Sequence, residues 1–194
     1  MSRREVVSVN RAVAAALAVG GERRVMSGIA KRAVDGEVAV GPLGLAGDEQ
    51  ADPSVHGGLD KAVYAYPVEH YAFWQTVRAQ AGQQPWGAPL AHGFMGENLT
   101  LAGVLEGELW VGDLLRFGRC ELAVSAPRKP CYKFNAVMGF EQAAQLMTRS
   151  GYCGCYLAVR SPGFIAAGEP FELVPGPREV GLAELFRAVM GRPR

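Results

Sequence analysis

The apolar runs of this chain are short, and glycine-bearing turns stand between them. That spacing leaves little room for long helices and predicts a chain built mostly of strands. A residue free to take positive φ is what a tight reversal needs. Cys120, Leu122 and Val124 alternate with Glu121, Ala123 and Ser125, the period-two mark of a half-buried strand. Phe171 and Leu173 flank Glu172 in the same way. The runs Ala62-Val63-Tyr64-Ala65-Tyr66 and Tyr156-Leu157-Ala158-Val159 are apolar throughout and predict strands buried on both faces. Three helices are predicted among them. The first opens at Pro67, which suits a first helical position, and runs through Val77. The second spans about Phe140 to Thr148, with Phe140, Ala143, Ala144 and Met147 at helical spacing, and the third uses Leu182, Leu185, Phe186 and Val189. Strands arrive in runs with helices scattered between them, which excludes regular βαβ alternation. The expected fold is mainly β with helices (α+β): a mostly antiparallel β-barrel-like or folded sheet carrying about three helices.

No internal repeat or low-complexity linker divides the 194 residues, so a single domain over 1–194 is expected. Hydrophobic residues make up 49% and charged residues 20%, an ordinary globular composition. A formal net charge of +1 gives no reason to expect a nucleic-acid partner, so any basic feature that matters is local. The alanine-rich stretch from Ala12 to Val19 is too short to span a bilayer and leads to no convincing cleavage site. No membrane association is expected, and a cytoplasmic location follows. Trp74, Trp86 and Trp110 read as packing residues, and His70 and His92 show no ligand spacing.

Cys120, Cys131, Cys153 and Cys155 match no structural zinc pattern, and a disulfide framework is not expected in a chain with this much core-forming sequence. There is no G-x-G-x-x-G, no P-loop and no G-x-S-x-G, which argues against dinucleotide, P-loop nucleotide and elbow-type serine chemistry.

Three segments are richer in unusual residues than packing needs. The first joins Gly44-Leu45-Ala46-Gly47-Asp48-Glu49-Gln50 to Val55-His56-Gly57-Gly58-Leu59-Asp60-Lys61. Successive N–H groups in such glycine turns can form an anion-binding nest, although two tight turns with a capping Asp and a surface His read equally from the residues. The second, Gly93 to Thr100, sets Glu97 and Asn98 between a glycine turn and a strand. They can present an acid and an amide to a pocket, or Asn98 can simply bond the turn's own backbone. The third is Ser125-Ala126-Pro127-Arg128-Lys129-Pro130-Cys131-Tyr132-Lys133. Its prolines stiffen the loop, and Arg128, Lys129 and Lys133 lie within three residues of Cys131. Cations beside a thiol favour the thiolate, which is both nucleophile and soft metal ligand. The other reading is a buried structural cysteine beside incidental surface charge, but packing alone has little use for a rigid basic loop. Cys120, Cys153 and Cys155 read as core.

In order along the chain, Gly-Leu-x-Gly-Asp-Glu-Gln at 44–50, His-Gly-Gly at 56–58, Gly-Glu-Asn-Leu-Thr at 96–100, Gly-Asp at 112–113 and Pro-Arg-x-Pro-Cys-Tyr-Lys at 127–133 resemble the MOSC domain family. Tyr66-Pro67 followed by Glu69-His70-Tyr71 extends the resemblance to its YiiM-like branch. The motif-bearing core runs from about Val34 to Pro175, with a C-terminal helix over about 180–190. Leu59 departs from the proline common after His-Gly-Gly, and the branch often carries a longer C-terminal helical extension.

The resemblance implies a protein that binds the pyranopterin molybdenum cofactor, with Cys131 as the metal ligand. It implies cofactor contacts from His56, Gly57, Gly58, Lys61, Asn98, Ser125, Arg128 and Lys133. It further implies a reductase of N-hydroxylated compounds of the hydroxylaminopurine or amidoxime type. Cys131 would then act with Glu97 or Asp48, which relay protons or orient the loops. Electrons would come from a separate, flavoprotein-type redox partner, because the chain shows no flavin, haem or iron–sulfur signature. Two alternatives stay open: a persulfide sulfur carrier using Cys131, and a non-catalytic carrier of the cofactor.

Overall fold

Residues whose side chains alternate or run apolar become sheet almost everywhere in the computed structural model, which describes residues 3–51 and 57–191. In chain order the first strands are β1 (Glu5–Arg11), β2 (Ala15–Ala18), β3 (Arg24–Ser27), β4 (Arg32–Ala33), β5 (Val38–Gly41), β6 (Gly44–Leu45) and β7 (Val63–Pro67). They are followed by β8 (Leu99–Ala102), β9 (Leu114–Arg116), β10 (Glu121–Pro127), β11 (Cys155–Ser161), β12 (Gly163–Ile165) and β13 (Glu172–Val174). The α-helices are α1 (Tyr71–Gln80), α2 (Tyr132–Met138), α3 (Ala143–Ser150) and α4 (Leu182–Met190).

One eight-stranded sheet, in the order β13-β9-β10-β11-β7-β8-β1-β4, organises the molecule. Every pairing in it is antiparallel except β7 with β8. The continuous apolar runs lie at its centre: β7 is buried along its whole length, and Tyr64 pairs with Tyr156 of β11. The sheet curls without closing. At the start of β1, Val6 N donates to Glu169 O at 2.9 Å and Phe171 N to Arg4 O at 3.2 Å, so the strand nearly meets the segment leading into β13. The expected barrel-like sheet is therefore present as an unclosed curl. Inside it pack Val6, Val9, Leu99, Leu115, Leu122 and Leu157.

A second apolar cluster sits under the helices, around Tyr66, Trp74, Met95, Phe134, Met147 and Phe186. The described residues form four α-helices where about three were expected. The additional one, α2, follows Pro130 and stops at Gly139, whose φ of 82° is the left-handed C-cap that glycine accepts most readily. Pro67 ends β7 instead of opening a helix, and α1 begins only at Tyr71 after a single 3-10 turn. The alanine-rich N-terminal run forms β2, paired with β3 in a hairpin outside the main sheet. Trp74 is buried as expected, but Trp86 is 69% exposed and packs no core. No described helix is long and apolar enough to cross a membrane.

Candidate functional site

The three unusual segments converge. Asp48, Lys61, Asn98, Arg128, Cys131 and Lys133 line one open cleft with a cavity volume of about 100 Å³. Each is held by the end of a regular element. Asp48 follows β6, Lys61 closes the 3-10 turn before β7, Asn98 precedes β8, Arg128 follows β10, and Cys131 opens α2. Loops fixed at both ends by sheet or helix suit a site that must hold its geometry. Gly96 shows how closely they pack: at φ 85°, a Cβ there would stand 2.6 Å from Ile29 Cγ1.

Not every expected residue reaches the cleft wall. Ser125 lies beside it, its hydroxyl bonded to Asp60 O and, at 3.0 Å, to Tyr156 O. That bond fixes the turn carrying Lys61 to the sheet. Gly57 and Gly58 are not among the lining residues, and Gly58 N donates instead to Gln50 Oε1 at 3.1 Å. His56 lies outside the described residues. Glu97 is fully buried beneath the cleft floor, where Tyr71, Gly93 N, Met95 N and Thr100 all donate to its carboxylate. Desolvation raises its pKa above the ordinary carboxylate value, against the lowering effect of those donors.

Residues that carry no local motif also join the wall. Lys31 Nζ pairs with Asp48 Oδ1 at 2.5 Å, with both side chains almost fully buried. Asn98 Nδ2 donates to Asp48 Oδ2 at 2.8 Å, while its Oδ1 accepts from Tyr64 N at 3.0 Å. Asn98 thereby ties the Asp48 turn to β7. Tyr64 and Tyr156 supply aromatic faces to the cleft, and Lys61 Nζ stands 5.8 Å from the Tyr156 ring centroid. Nothing short-range in the sequence marks Lys31, Tyr64 or Tyr156 as site residues.

Arg128 is the most demanding group. It is 5% exposed, and its guanidinium lies 4.8 Å from the Phe134 ring centroid and 5.3 Å from that of Tyr64. Its Nη1 donates to Met147 Sδ at 3.1 Å. Burial opposes the charge, while the Tyr64, Tyr156 and Cys131 side chains favour it, and the balance keeps the guanidinium protonated. Among the described residues no carboxylate pairs with it. Its neighbours are ring faces, the Tyr156 hydroxyl and a thioether, and a buried cation so placed costs several kcal/mol until an anion arrives. We therefore expect Arg128→Met, which keeps the apolar stem between Phe134 and Met147, to melt at or above the wild type without ligand. A change from neutral to a gain of about 1–4 kcal/mol is the scale seen when buried ionic groups are replaced by well-packed apolar ones. Thermal melting of both proteins checks this; a clearly destabilised variant would mean that the guanidinium is already satisfied by the protein.

The cleft therefore offers a thiol, a guanidinium without a carboxylate partner among the described residues, three lysines and two phenol rings. No group of three or more His, Cys, Asp or Glu able to hold a metal ion occurs among the described residues. A single thiolate does not retain a bare ion, but it can complete the coordination of a metal that arrives with its own soft ligands. The surrounding cations suit an anionic organic carrier of that metal.

The MOSC domain pattern matches residues 52–172. Protein YiiM of Escherichia coli is 43% identical over 160 residues, covering 81% of this chain and 68% of that one. The chain is a YiiM-like member of the MOSC domain family. A fungal protein named Reductase, from Gibberella moniliformis, is 34% identical over 161 residues, which are 82% of this chain and 27% of that much longer one. The crystal structure of YiiM from Geobacillus stearothermophilus superposes with a TM-score of 0.75 at 30% identity, covering 96% of this chain and 84% of that chain. The YiiM-like fold thus extends across the unclosed sheet and its helices.

Proposed function

We propose that this protein binds the pyranopterin molybdenum cofactor in the cleft and reduces N-hydroxylated compounds, such as hydroxylaminopurines or amidoximes, to their amines. The observation that carries the reading is the pairing of Cys131 with a buried, carboxylate-free Arg128 on one wall. Cys131 supplies the thiolate to the metal. Arg128, with Lys61 and Lys133, faces the negative charge of the pterin phosphate and dithiolene, and Tyr64 and Tyr156 offer flat surfaces to a ring system. When bound, the cofactor would supply two-electron chemistry, which no amino-acid side chain provides. MOSC membership and the reductase name carried by one relative support an oxidoreductase.

The electrons come from outside the chain, from a flavoprotein-type partner. Holo-protein purified from a cofactor-competent host should contain molybdenum and a fluorescent pterin. It should be inert toward a hydroxylaminopurine with NADPH alone and turn over when a one-electron dye donor is added. Molybdenum-loaded protein that reduces no N-hydroxylated probe would leave a cofactor carrier. Protein without molybdenum but with a sulfane sulfur on Cys131 would make it a persulfide carrier.

A further inference from the structure

The chain's 20 basic residues include only four lysines, Lys31, Lys61, Lys129 and Lys133. Three of the four line the cleft, and Lys129 is two residues from Cys131; among the described arginines only Arg128 lines it. A sequence that spends arginine on its general surface charge keeps lysine where the ammonium differs from a guanidinium. One such difference is that an ammonium can lose its proton near physiological pH when its surroundings favour it.

Lys31 is set apart from the other two cleft lysines. Its side chain is 7% exposed, and its charge is already matched by Asp48 at 2.5 Å. Asp48 in turn is fixed by Ala12 N at 2.9 Å and by Asn98 Nδ2 at 2.8 Å. A neutralised ion pair adds little to the attraction of an anionic ligand, so Lys31 is not there for its charge. What the arrangement provides is an amine held in one place on the cleft wall with a proton to give. We propose that Lys31, positioned by Asp48 and Asn98, is the proton donor to the departing oxygen when an N–O bond is cleaved in this cleft. This rests on the reductase reading above.

The step balances as R–NH–OH plus two electrons and two protons giving R–NH2 and water. The N–O bond breaks and the two electrons, from the external flavoprotein-type donor, go to the nitrogen. One proton passes from Lys31 Nζ to the leaving oxygen, and the second reaches the nitrogen from solvent. The neutral amine then regains its proton from water.

Burial lowers the Lys31 pKa from 10.5, against the opposing pull of Asp48 and, more weakly, Glu97. A lowered value makes the ammonium a better acid near neutral pH. The acids around it are Asp48, Glu49 and Glu97. The cations sharing the cleft are Lys61, Arg128 and Lys133, with the Cys131 thiol among them.

The test has two arms. In NMR of wild-type protein labelled with 13C-lysine, only four Cε signals arise, and single Lys→Arg variants assign them. The Lys31 signal should titrate below the ordinary 10.5, and lower still in Asp48→Asn, where the group that holds its proton is removed. In the second arm, molybdenum-loaded Lys31→Arg and wild type are compared with a dye donor and a hydroxylaminopurine. Arginine keeps the ion pair but cannot yield a proton, so kcat should fall by about 100-fold or more, the usual contribution of a general acid, with KM little changed. The alkaline limb of the wild-type pH profile, where rate falls as Lys31 deprotonates, should disappear. A Lys31 signal titrating at or above 10.5, or a Lys31→Arg variant within twofold of wild type, overturns the proposal. Wild-type holo-protein that reduces no N-hydroxylated probe instead overturns the reductase reading, and the proton-donor role with it, whatever the lysine signal does.

Discussion

Cys131→Ser is expected to abolish molybdenum retention, while Cys120→Ser, Cys153→Ser and Cys155→Ser keep it. Of the four cysteines only Cys131 is half-exposed; the other three are buried. Burial pushes the Cys120 thiol up to about 11 and raises Cys153 and Cys155 further, which disfavours their thiolates, and none of the three lines the cleft. Serine is nearly isosteric with cysteine, but its hydroxyl is harder and far less acidic, a poor match for a soft metal centre. Pro130 and the start of α2 hold the loop on either side, so the variant should fold as the wild type does. Occupancy in Cys131→Ser should fall to below about one tenth of the wild-type value, more than the loss usual for an outer-shell contact at its weakest. Elemental analysis of the five proteins, with circular dichroism for the fold, reads the result directly. Full occupancy in Cys131→Ser would detach the thiol from the metal and leave the basic cleft as a binding site only.

Much of the framework could be read from local pattern, and the reasons for the failures are local too. β7 and β11 were legible because a strand at the centre of a sheet needs apolar residues on both faces, and their runs are apolar throughout. The helix α2 was not. It has seven residues, Phe134 and Met138 supply its single buried i,i+4 pair, and its first turn coincides with the basic cysteine segment. Pro130 before it and Gly139 after it were the signals that could have found it. In the site, the sequence leaves open whether Glu97 and Asn98 both face a pocket or whether Asn98 only bonds the turn's own backbone. Neighbours on an extended chain point to opposite sides, so the lead into β8 sends Asn98 to the cleft and Glu97 into the body. Lys31 was illegible for a different reason. Its partner Asp48 is 17 residues away, beyond the next three short strands, and only the tertiary fold makes them a pair.

Glu97→Ala should be among the most damaging single changes in the molecule, through stability rather than chemistry. The Glu97 carboxylate is where four parts of the structure meet. Gly93 N and Met95 N donate to it at 2.8 and 3.0 Å, closing the glycine turn on itself. Thr100 Oγ1 donates at 2.7 Å from β8, and the Tyr71 hydroxyl donates from the first turn of α1. Thr100 Oγ1 in turn accepts from Asn10 Nδ2 at 3.1 Å, and Asn10 Oδ1 from Ser8 Oγ at 2.7 Å, which carries the network into β1. Alanine leaves all of these donors inside the protein with no acceptor and no water, at about 1–3 kcal/mol for each that cannot turn away. The two hydroxyls can rotate, but the two backbone N–H groups cannot. A loss of about 4–6 kcal/mol follows, a large share of the stability of a domain this size. Glu97→Gln should cost clearly less: its carbonyl oxygen can serve the three donors at Oε1, leaving its amide opposed to Met95 N alone. The pH dependence separates this group from the rest. Its folded pKa is raised, so the folded state holds a proton that the unfolded chain has already released above about pH 4.5. Its contribution is therefore greatest below that pH and declines as pH rises through the folded value, opposite to a carboxylate stabilised by a cation. Urea unfolding of the wild type, Glu97→Gln and Glu97→Ala from pH 4 to pH 8 measures both effects. If Glu97→Ala unfolds within about 1 kcal/mol of wild type, the surface-substitution range, then Glu97 is not the hub of this network, and the cleft floor is held by something else.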